Sequence, residues 1–509
     1  MKIFWGISSL HKCNYKDYID KENITNKLCK FKTLVSESNF FLRSNFPPNS
    51  TPVLYSDEQN RENFQKDMDF LPQIEIVNNT QNIQFYSDAF GMRAFYWIQI
   101  KDILFFSNSS FFLAKMLGKS PLGINGLFTH LILRGQQNSS SYFEDIALLP
   151  PQSILNFGKN GTTILKRTSE SAACLNIQDI LLKNIPGRVL SDSGVSFSGG
   201  IDSSILVSEI NKKNKDTTFY SLTNSNNENL KTDLFYADLL AQKQNFIINK
   251  VPFELHDDIF FYDMPVLDHD LYGQYCLQNA MLNDDKKYMI SGSGADELFG
   301  GYDRIFYFAH QLGITNTEHS LDYILERYSY TSFELLQKID NVLFHDIYDE
   351  IEEYYLKVTS EFHNPVSKLH CWFLKHHLPW ILKMAPEDII CIYPFLQGEF
   401  LAFCLKEDYD SLFPYTACNQ NDPSYNFKVK SILKKQYSQS LPFEILNRPK
   451  LPFSVQENEI DRWYEAQYLI YKPDLLISQN EFLDIMSDVY GKQSKLLYLS
   501  YILWRQRVL

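Results

Sequence analysis

Apolar and polar positions divide the chain into three textures. Up to about residue 165, short apolar runs alternate with polar turns, as in 82–91 (NIQFYSDAFG), 94–107 (AFYWIQIKDILFFS) and 152–166 (QSILNFGKNGTTILK). Such runs predict β-strands, and Gly158-Lys-Asn-Gly161 predicts a hairpin turn. From about 175 to 310, strand and helix signals alternate. The stretch 194–200 (GVSFSGG) begins as an apolar strand and breaks into glycines, and Ile201, Ile205, Leu206 and Ile210 then share one helical face. The runs 217–223 (TTFYSLT) and 286–294 (KKYMISGSG) read as further strands, with 233–244 (DLFYADLLAQKQ) as the helix after the first of them. This βαβ alternation predicts a parallel, doubly wound sheet. Residues from about 311 to 509 read as mostly helical and aromatic-rich. The expected division is therefore 1–165 and 175–509.

Composition narrows the class. With 44% hydrophobic and 21% charged residues among 509, collagen, coiled coil and wholesale disorder are excluded. The net charge is −13, and no basic tract stands out, so nucleic acid is not an expected partner. Eight cysteines without a CxxC pair predict a reducing, cytoplasmic setting. The opening residues predict no cleaved signal, and the absence of a run of about 18 apolar residues predicts no membrane span.

The candidate chemistry centres on Ser196-Phe-Ser198-Gly199-Gly200-Ile-Asp202-Ser203-Ser204. A strand ends, two glycines allow a tight turn, and a helix starts. A helix N-terminus offers unpaired N–H groups and the positive end of its dipole to an anion. The serine hydroxyls add donors, and Asp202 adds a carboxylate suited to Mg²⁺. The same residues would also serve an ordinary N-capped turn. Neither GxxxxGK[ST] nor GxGxxG is present here, which excludes a Walker loop and a dinucleotide fingerprint. Further on, 286–297 places Asp296 just past a strand's C-terminal edge, where open α/β sheets bind ligands. Asp202 and Asp296 are then candidates to share one Mg²⁺, although Asp296 would equally cap the helix that follows.

These two segments resemble the asparagine synthetase family. SFSGGIDSS is similar to the PP-loop of ATP pyrophosphatases, and Ser291-Gly292-Ser293-Gly294-Ala-Asp296-Glu297-Leu-Phe-Gly-Gly301-Tyr302 is similar to the family's SGxGxDExxGGY segment. The resemblance implies an α/β protein with a glutamine-amidotransferase-like β-sandwich, then a doubly wound PP-loop synthetase domain whose C-terminal part is helical. It implies ATP and Mg²⁺ as cofactors. Ser196, Ser198, Gly199, Gly200, Asp202, Ser203, Ser204, Gly292 and Gly294 would bind nucleotide, and Asp202 and Asp296 would bind the metal. Lys430-Ser-Ile-Leu-Lys434 and Leu441-Pro442 through Arg448-Pro449-Lys450 resemble the family's lysine segment. By resemblance, Lys450 would stabilise charge during amide formation and Lys430 would contact the phosphates. Cations of this kind neutralise a pyrophosphate leaving group. Taken alone, Lys430 also reads as a solvated helix lysine.

Asp88-Ala-Phe-Gly91-Met-Arg93-Ala-Phe-Tyr96 continues the resemblance into the first domain. Glutaminase-active members begin Met-Cys; here position 2 is Lys2, and Cys13 is expected to be structural. Asparagine synthetases carry Glu where Ser293 stands, and β-lactam synthetases carry Tyr. The family's ExRxPFL segment reads Ile390-Cys-Ile-Tyr393-Pro-Phe-Leu396, without Glu or Arg, leaving Glu387 or Asp388 as possible substitutes. The lasso-peptide cyclase branch tolerates such changes. Its members adenylate an Asp or Glu side chain of a precursor peptide, whose N-terminal amine then closes a macrolactam, and a leader peptidase works alongside. An intramolecular amine needs little beyond positioning. The alternatives are a small-molecule amidoligase of the same family and a non-catalytic scaffold.

Overall fold

The computed structural model describes residues 4–9, 32–36, 40–44, 53–57, 74–78, 82–137, 139–166, 176–183, 185–223, 228–255, 263–315, 320–384, 388–406, 412, 414, 429–448, 457–487 and 492–509. Two sheets form the first part. One orders its strands β2 (Lys32–Ser36), β3 (Phe40–Ser44), β1 (Phe4–Ser9), β8 (Ile103–Ser107), β7 (Tyr96–Ile100) and β9 (Ala147–Leu148). The other runs β11 (Gly161–Lys166), β10 (Ser153–Gly158), β6 (Asn82–Tyr86), β5 (Ile74–Asn78) and β4 (Val53–Asp57). Alternation puts Ile74, Ile76, Ile83, Phe85, Leu155 and Phe157 of the second sheet in one apolar cluster with Leu104 and Phe106 of the first. The β10–β11 hairpin turns between Gly158 and Gly161, where Gly161 has a φ of 85° that few side chains accept.

Two helices interrupt this region, Ser110–Leu117 and Ile124–Leu133, where the sequence reads as short β runs throughout. They are apolar on most faces, so their period is weak. Both are packed against the C-terminal half. The Leu133 carbonyl accepts from the Tyr328 hydroxyl (3.2 Å) and His376 Nε2 (3.1 Å), and Arg134 pairs with Asp268 at 2.8 Å.

The second part is built on five parallel strands in the order β14 (Ile248–Pro252), β13 (Thr218–Thr223), β12 (Ser193–Ser196), β15 (Tyr288–Ile290), β16 (Ile390–Ile392). Helix Ile201–Lys213 links β12 to β13, with Ile205, Leu206 and Ile210 fully buried as their spacing predicts. Helix Glu228–Gln244 links β13 to β14, and Asp270–Asn283 links β14 to β15. A run of helices then intervenes before the chain returns to add β16. The chain thus winds outward from β12 to β14, and β15 continues on the other side of β12. The switch point lies between β12 and β15, and its C-terminal edge is where a doubly wound sheet opens a crevice. Among the described residues, no helix is long and apolar enough to cross a membrane.

Candidate active site

The loop after β12 enters that crevice first. The Phe197 N–H donates to the Tyr220 carbonyl (2.8 Å) and the Ser221 hydroxyl to the Phe197 carbonyl, so β13 braces the loop. Gly199 turns it with a φ of 69° and leaves no room for a side chain: a Cβ would sit 2.6 Å from both the Ala237 nitrogen and the Asp233 carbonyl oxygen. Gly200 is the N-cap of helix Ile201–Lys213 and contributes no capping side chain. The loop is tied internally through Ser203. Its Oγ accepts from the Ser198 N–H (3.3 Å), lies 3.2 Å from Ser198 Oγ and donates to the Gly200 carbonyl (3.1 Å). The Gly200 N–H in turn donates to Ser198 Oγ at 3.3 Å. Ser196 and Phe197 line a cavity at the ends of β12 and β13 with Leu222, Asp233 and Leu277.

Ser204 departs from expectation. Its side chain is fully buried, and among the described residues its hydroxyl has no hydrogen-bond partner. The Ser198 and Ser203 hydroxyls bond to each other within the loop, whereas the Ser204 hydroxyl is enclosed by the protein.

The loop after β15 meets the first one. A Cβ on Gly292 would lie 3.4 Å from the Asp202 Cβ and 3.4 Å from the Ser203 nitrogen, so the two loops abut directly. Gly294, at φ 91°, lies under Leu396, whose Cδ2 would be 2.2 Å from an added Cβ. Asp296 is seated by the following glycines. The Gly301 N–H donates to the Asp296 carbonyl (2.8 Å), and a Cβ at 301 would overlap the Asp296 carboxylate, 1.6 Å from Oδ1. Beside it, buried Glu297 accepts from the Tyr302 hydroxyl at 2.7 Å.

Lys430 joins the two loops. Its backbone N–H donates to the Phe299 and Gly300 carbonyls (3.2 and 3.3 Å), and its own φ of 54° is in the left-handed region. The side chain, 7% exposed, contacts Asp202 and, at 2.7 Å, Asp296. Burial works against its charge, but the Asp202 and Asp296 carboxylates outweigh that penalty and raise its pKa above the ordinary lysine value. Lys434, one turn on, is pushed down by burial and by the Lys430 charge. The structure thus puts Lys430 on the two aspartates, a placement the sequence reading did not foresee.

That one nitrogen touches both carboxylates shows that a single cation can bridge them. Hard oxygens suit Mg²⁺, which is commonly held by one or two carboxylates plus phosphates and waters. Asp202 and Asp296 would hold it. Among the described residues no three His, Cys, Asp or Glu side chains group as a metal site.

Other expected residues fall elsewhere. Ser293 bonds Ser291 hydroxyl to hydroxyl at 2.9 Å. Asp388 precedes β16, and β16 runs parallel to β15 with Ile392 beside Ile290. Asp388 is therefore at the N-terminal end of the strand, opposite the crevice, and does not replace the family's carboxylate. Glu387 and Lys450 lie outside the described residues, as does Cys13. Sequence reasoning missed a pair that braces the loop: Arg448 binds Asp233 on helix Glu228–Gln244 and donates to the Ser198 carbonyl at 3.2 Å. Its spacing from Lys450 was visible, but its partner was not.

Two loops, one glycine-turned and one acidic, meet over the switch point of a parallel sheet in an α/β protein. A family model for asparagine synthase matches residues 188–484, and the chain belongs to that family. Over 137 residues it is 32% identical to a putative glutamine-hydrolysing asparagine synthetase of Methanocaldococcus jannaschii, a match spanning 25% of this chain and 24% of that protein. A solved structure of the U34-tRNA thiolase NcsA from Methanococcus maripaludis covers 61% of this chain and 75% of its own, at 10% identity and a TM-score of 0.23. That likeness is too slight to carry a functional argument.

Proposed function

We propose that the chain is an ATP-dependent, AMP-forming amide ligase that closes a macrolactam in a precursor peptide, as lasso-peptide cyclases do. The observation that carries the ATP chemistry is the convergence of Asp202, Asp296 and Lys430 beside the Ser198–Ser203 loop. In this reading a peptide Asp or Glu carboxylate attacks the α-phosphorus of ATP, and the bond to the β-phosphate breaks to release pyrophosphate. The peptide's N-terminal amine then attacks the acyl carbon, AMP leaves, and the amine loses a proton. Ser198, Ser203 and the amides of Gly199 and Gly200 would hold the departing pyrophosphate. Mg²⁺ on Asp202 and Asp296 would neutralise phosphate charge. Lys450 would stabilise charge developing at the acyl carbon.

Support for a peptide's own amine as nucleophile comes from Ser293. In place of an anionic base or a phenol, the loop presents a hydroxyl pair with Ser291. Positioning within one molecule supplies what a general base otherwise would. The two sheets sharing one apolar cluster support reading residues 1–165 as a degenerate amidotransferase-like sandwich before a synthetase domain at 175–509. A cytoplasmic setting and a leader-peptidase partner belong to the same proposal.

The test is turnover with Mg·ATP and a leader-free precursor peptide, with and without the co-encoded peptidase. The expected result is AMP together with a peptide lighter by one water. AMP formed only with free amino acids would replace this reading by a small-molecule amidoligase.

A further inference from the structure

We propose that Lys430 is a tethered cation that holds Asp202 and Asp296 together in the nucleotide-free protein and yields that place to Mg²⁺ only when nucleotide arrives. The inference rests on the reading of this crevice as an ATP site, and it concerns the order and coupling of binding, which that reading leaves open.

The argument starts from space. Lys430 Nζ contacts a carboxylate oxygen of Asp202 and lies 2.7 Å from Asp296 Oδ1. A Mg²⁺ bound by these carboxylates would sit about 2.0–2.1 Å from the oxygens. That position falls in the space the ammonium fills, so both cations cannot occupy it. Nor would they tolerate each other nearby, because like charges a few ångströms apart repel strongly where water is largely excluded.

The ammonium cannot simply withdraw. Its side chain is 7% exposed, and the backbone at 430 is anchored to the Phe299 and Gly300 carbonyls. Moving a buried charge off its partners without a new one is strongly unfavourable. A metal ion arriving alone must therefore displace Lys430 from both of its carboxylate partners at once. A metal arriving with a triphosphate brings a replacement anion itself. Asp202, which Lys430 contacts, itself follows the Ser198–Gly200 turn, so the ammonium already lies beside the loop that would hold the phosphates. Lys430 then moves from carboxylate to phosphate and stays paired. Metal and nucleotide each remove the obstacle to the other, so their affinities are coupled, and the coupling is reciprocal.

The probe is Mn²⁺ alone, followed by electron paramagnetic resonance, with a non-hydrolysable ATP analogue added in a second series. Wild-type protein is expected to bind Mn²⁺ about tenfold or more tightly with the analogue than without it. Lys430→Met is expected to bind Mn²⁺ without nucleotide about tenfold more tightly than wild type, and Mn²⁺ is expected to raise its melting temperature while leaving wild type unchanged. Equal Mn²⁺ affinity in the two proteins without nucleotide overturns the proposal. Should Lys430→Met not fold, the wild-type series decides alone: Mn²⁺ affinity unchanged by a bound analogue overturns it. Failure of the analogue to bind wild type in Mg²⁺, measured by calorimetry, would instead sink the ATP-site reading.

Discussion

Arg448 pairs with Asp233, 215 residues earlier in the chain, and the two side chains are each 8% exposed. The guanidinium also donates to the Ser198 carbonyl at 3.2 Å and lies over the Tyr236 ring, 4.8 Å from its centroid. It therefore clamps three things at once: the Ser198–Ser203 loop, helix Glu228–Gln244 and the C-terminal segment that leads to Lys450. A planar, always-charged fork suits that task, and a lysine would reach only one partner at a time.

The clamp has a pH signature. Burial raises the Asp233 carboxyl and Arg448 only partly restores it, leaving a pKa of about 6 against an ordinary 3.8. A carboxyl whose folded pKa is raised binds its proton more tightly when folded. Its favourable contribution is full below about pH 4 and is lost as pH rises through about 6, a change of about 3 kcal/mol. Urea unfolding across that window should show wild type losing stability relative to Asp233→Asn as pH rises. A constant difference between the two would place the Asp233 titration outside the window.

How much of this was legible in the sequence follows from range. The Ser198–Ser203 loop and the Gly292–Asp296 loop are short motifs whose turns and helix starts are encoded by neighbouring residues, and both stand where the pattern puts them. Strand β16 is three residues, Ile390–Ile392, too few to show a period inside a helical region. Strand β14 (INKVP) has no clean alternation because it is an edge strand. Helices Ser110–Leu117 and Ile124–Leu133 escaped because apolar residues cover most of their faces, which blurs the helical period. The Arg448–Asp233 clamp joins residues 215 positions apart, and Lys430 lies 228 positions from Asp202 and 430 − 296 = 134 from Asp296. Local patterns do not encode such pairings.

In the proposed reaction, Lys450 is the residue whose loss would separate adenylation from amide formation. If it stabilises charge as the amine attacks, Lys450→Ala should keep the fold and keep pyrophosphate–ATP exchange. Product formation should fall about 10²–10³-fold, the usual cost of removing one preorganised donor. Exchange and peptide mass are measured on the same samples. Equal loss of both would move Lys450 to the adenylation step.

Gly199 is constrained twice, by a φ of 69° and by backbone atoms 2.6 Å from where a Cβ would stand. Helix backbone cannot give way as a flexible side chain can. Gly199→Ala should therefore cost about 2–4 kcal/mol from strain and overpacking together. Gly200 has negative φ and only the Ser198 hydroxyl, 3.3 Å away, near its added Cβ, so Gly200→Ala should cost under about 1 kcal/mol. Chemical denaturation of the two variants side by side checks the contrast.

Ser203 and Ser204 are adjacent serines with opposite expected effects. Ser203 Oγ makes three contacts that hold the loop's shape, to the Ser198 N–H, Ser198 Oγ and the Gly200 carbonyl. Ser203→Ala should loosen the loop and raise the KM for ATP about two- to tenfold, since a neutral hydrogen bond contributes about 0.5–1.5 kcal/mol. Ser204 Oγ is fully buried, and among the described residues it has no hydrogen-bond partner. Burying a hydroxyl in that way is unfavourable by about 1–3 kcal/mol. Ser204→Ala removes that penalty, along with a small amount of packing, so stability should hold or rise by about 1 kcal/mol while the KM for ATP stays unchanged. Should Ser204→Ala raise the KM as Ser203→Ala does, the hydroxyl must turn outward when nucleotide binds, and the helix's first turn must rearrange to let it do so.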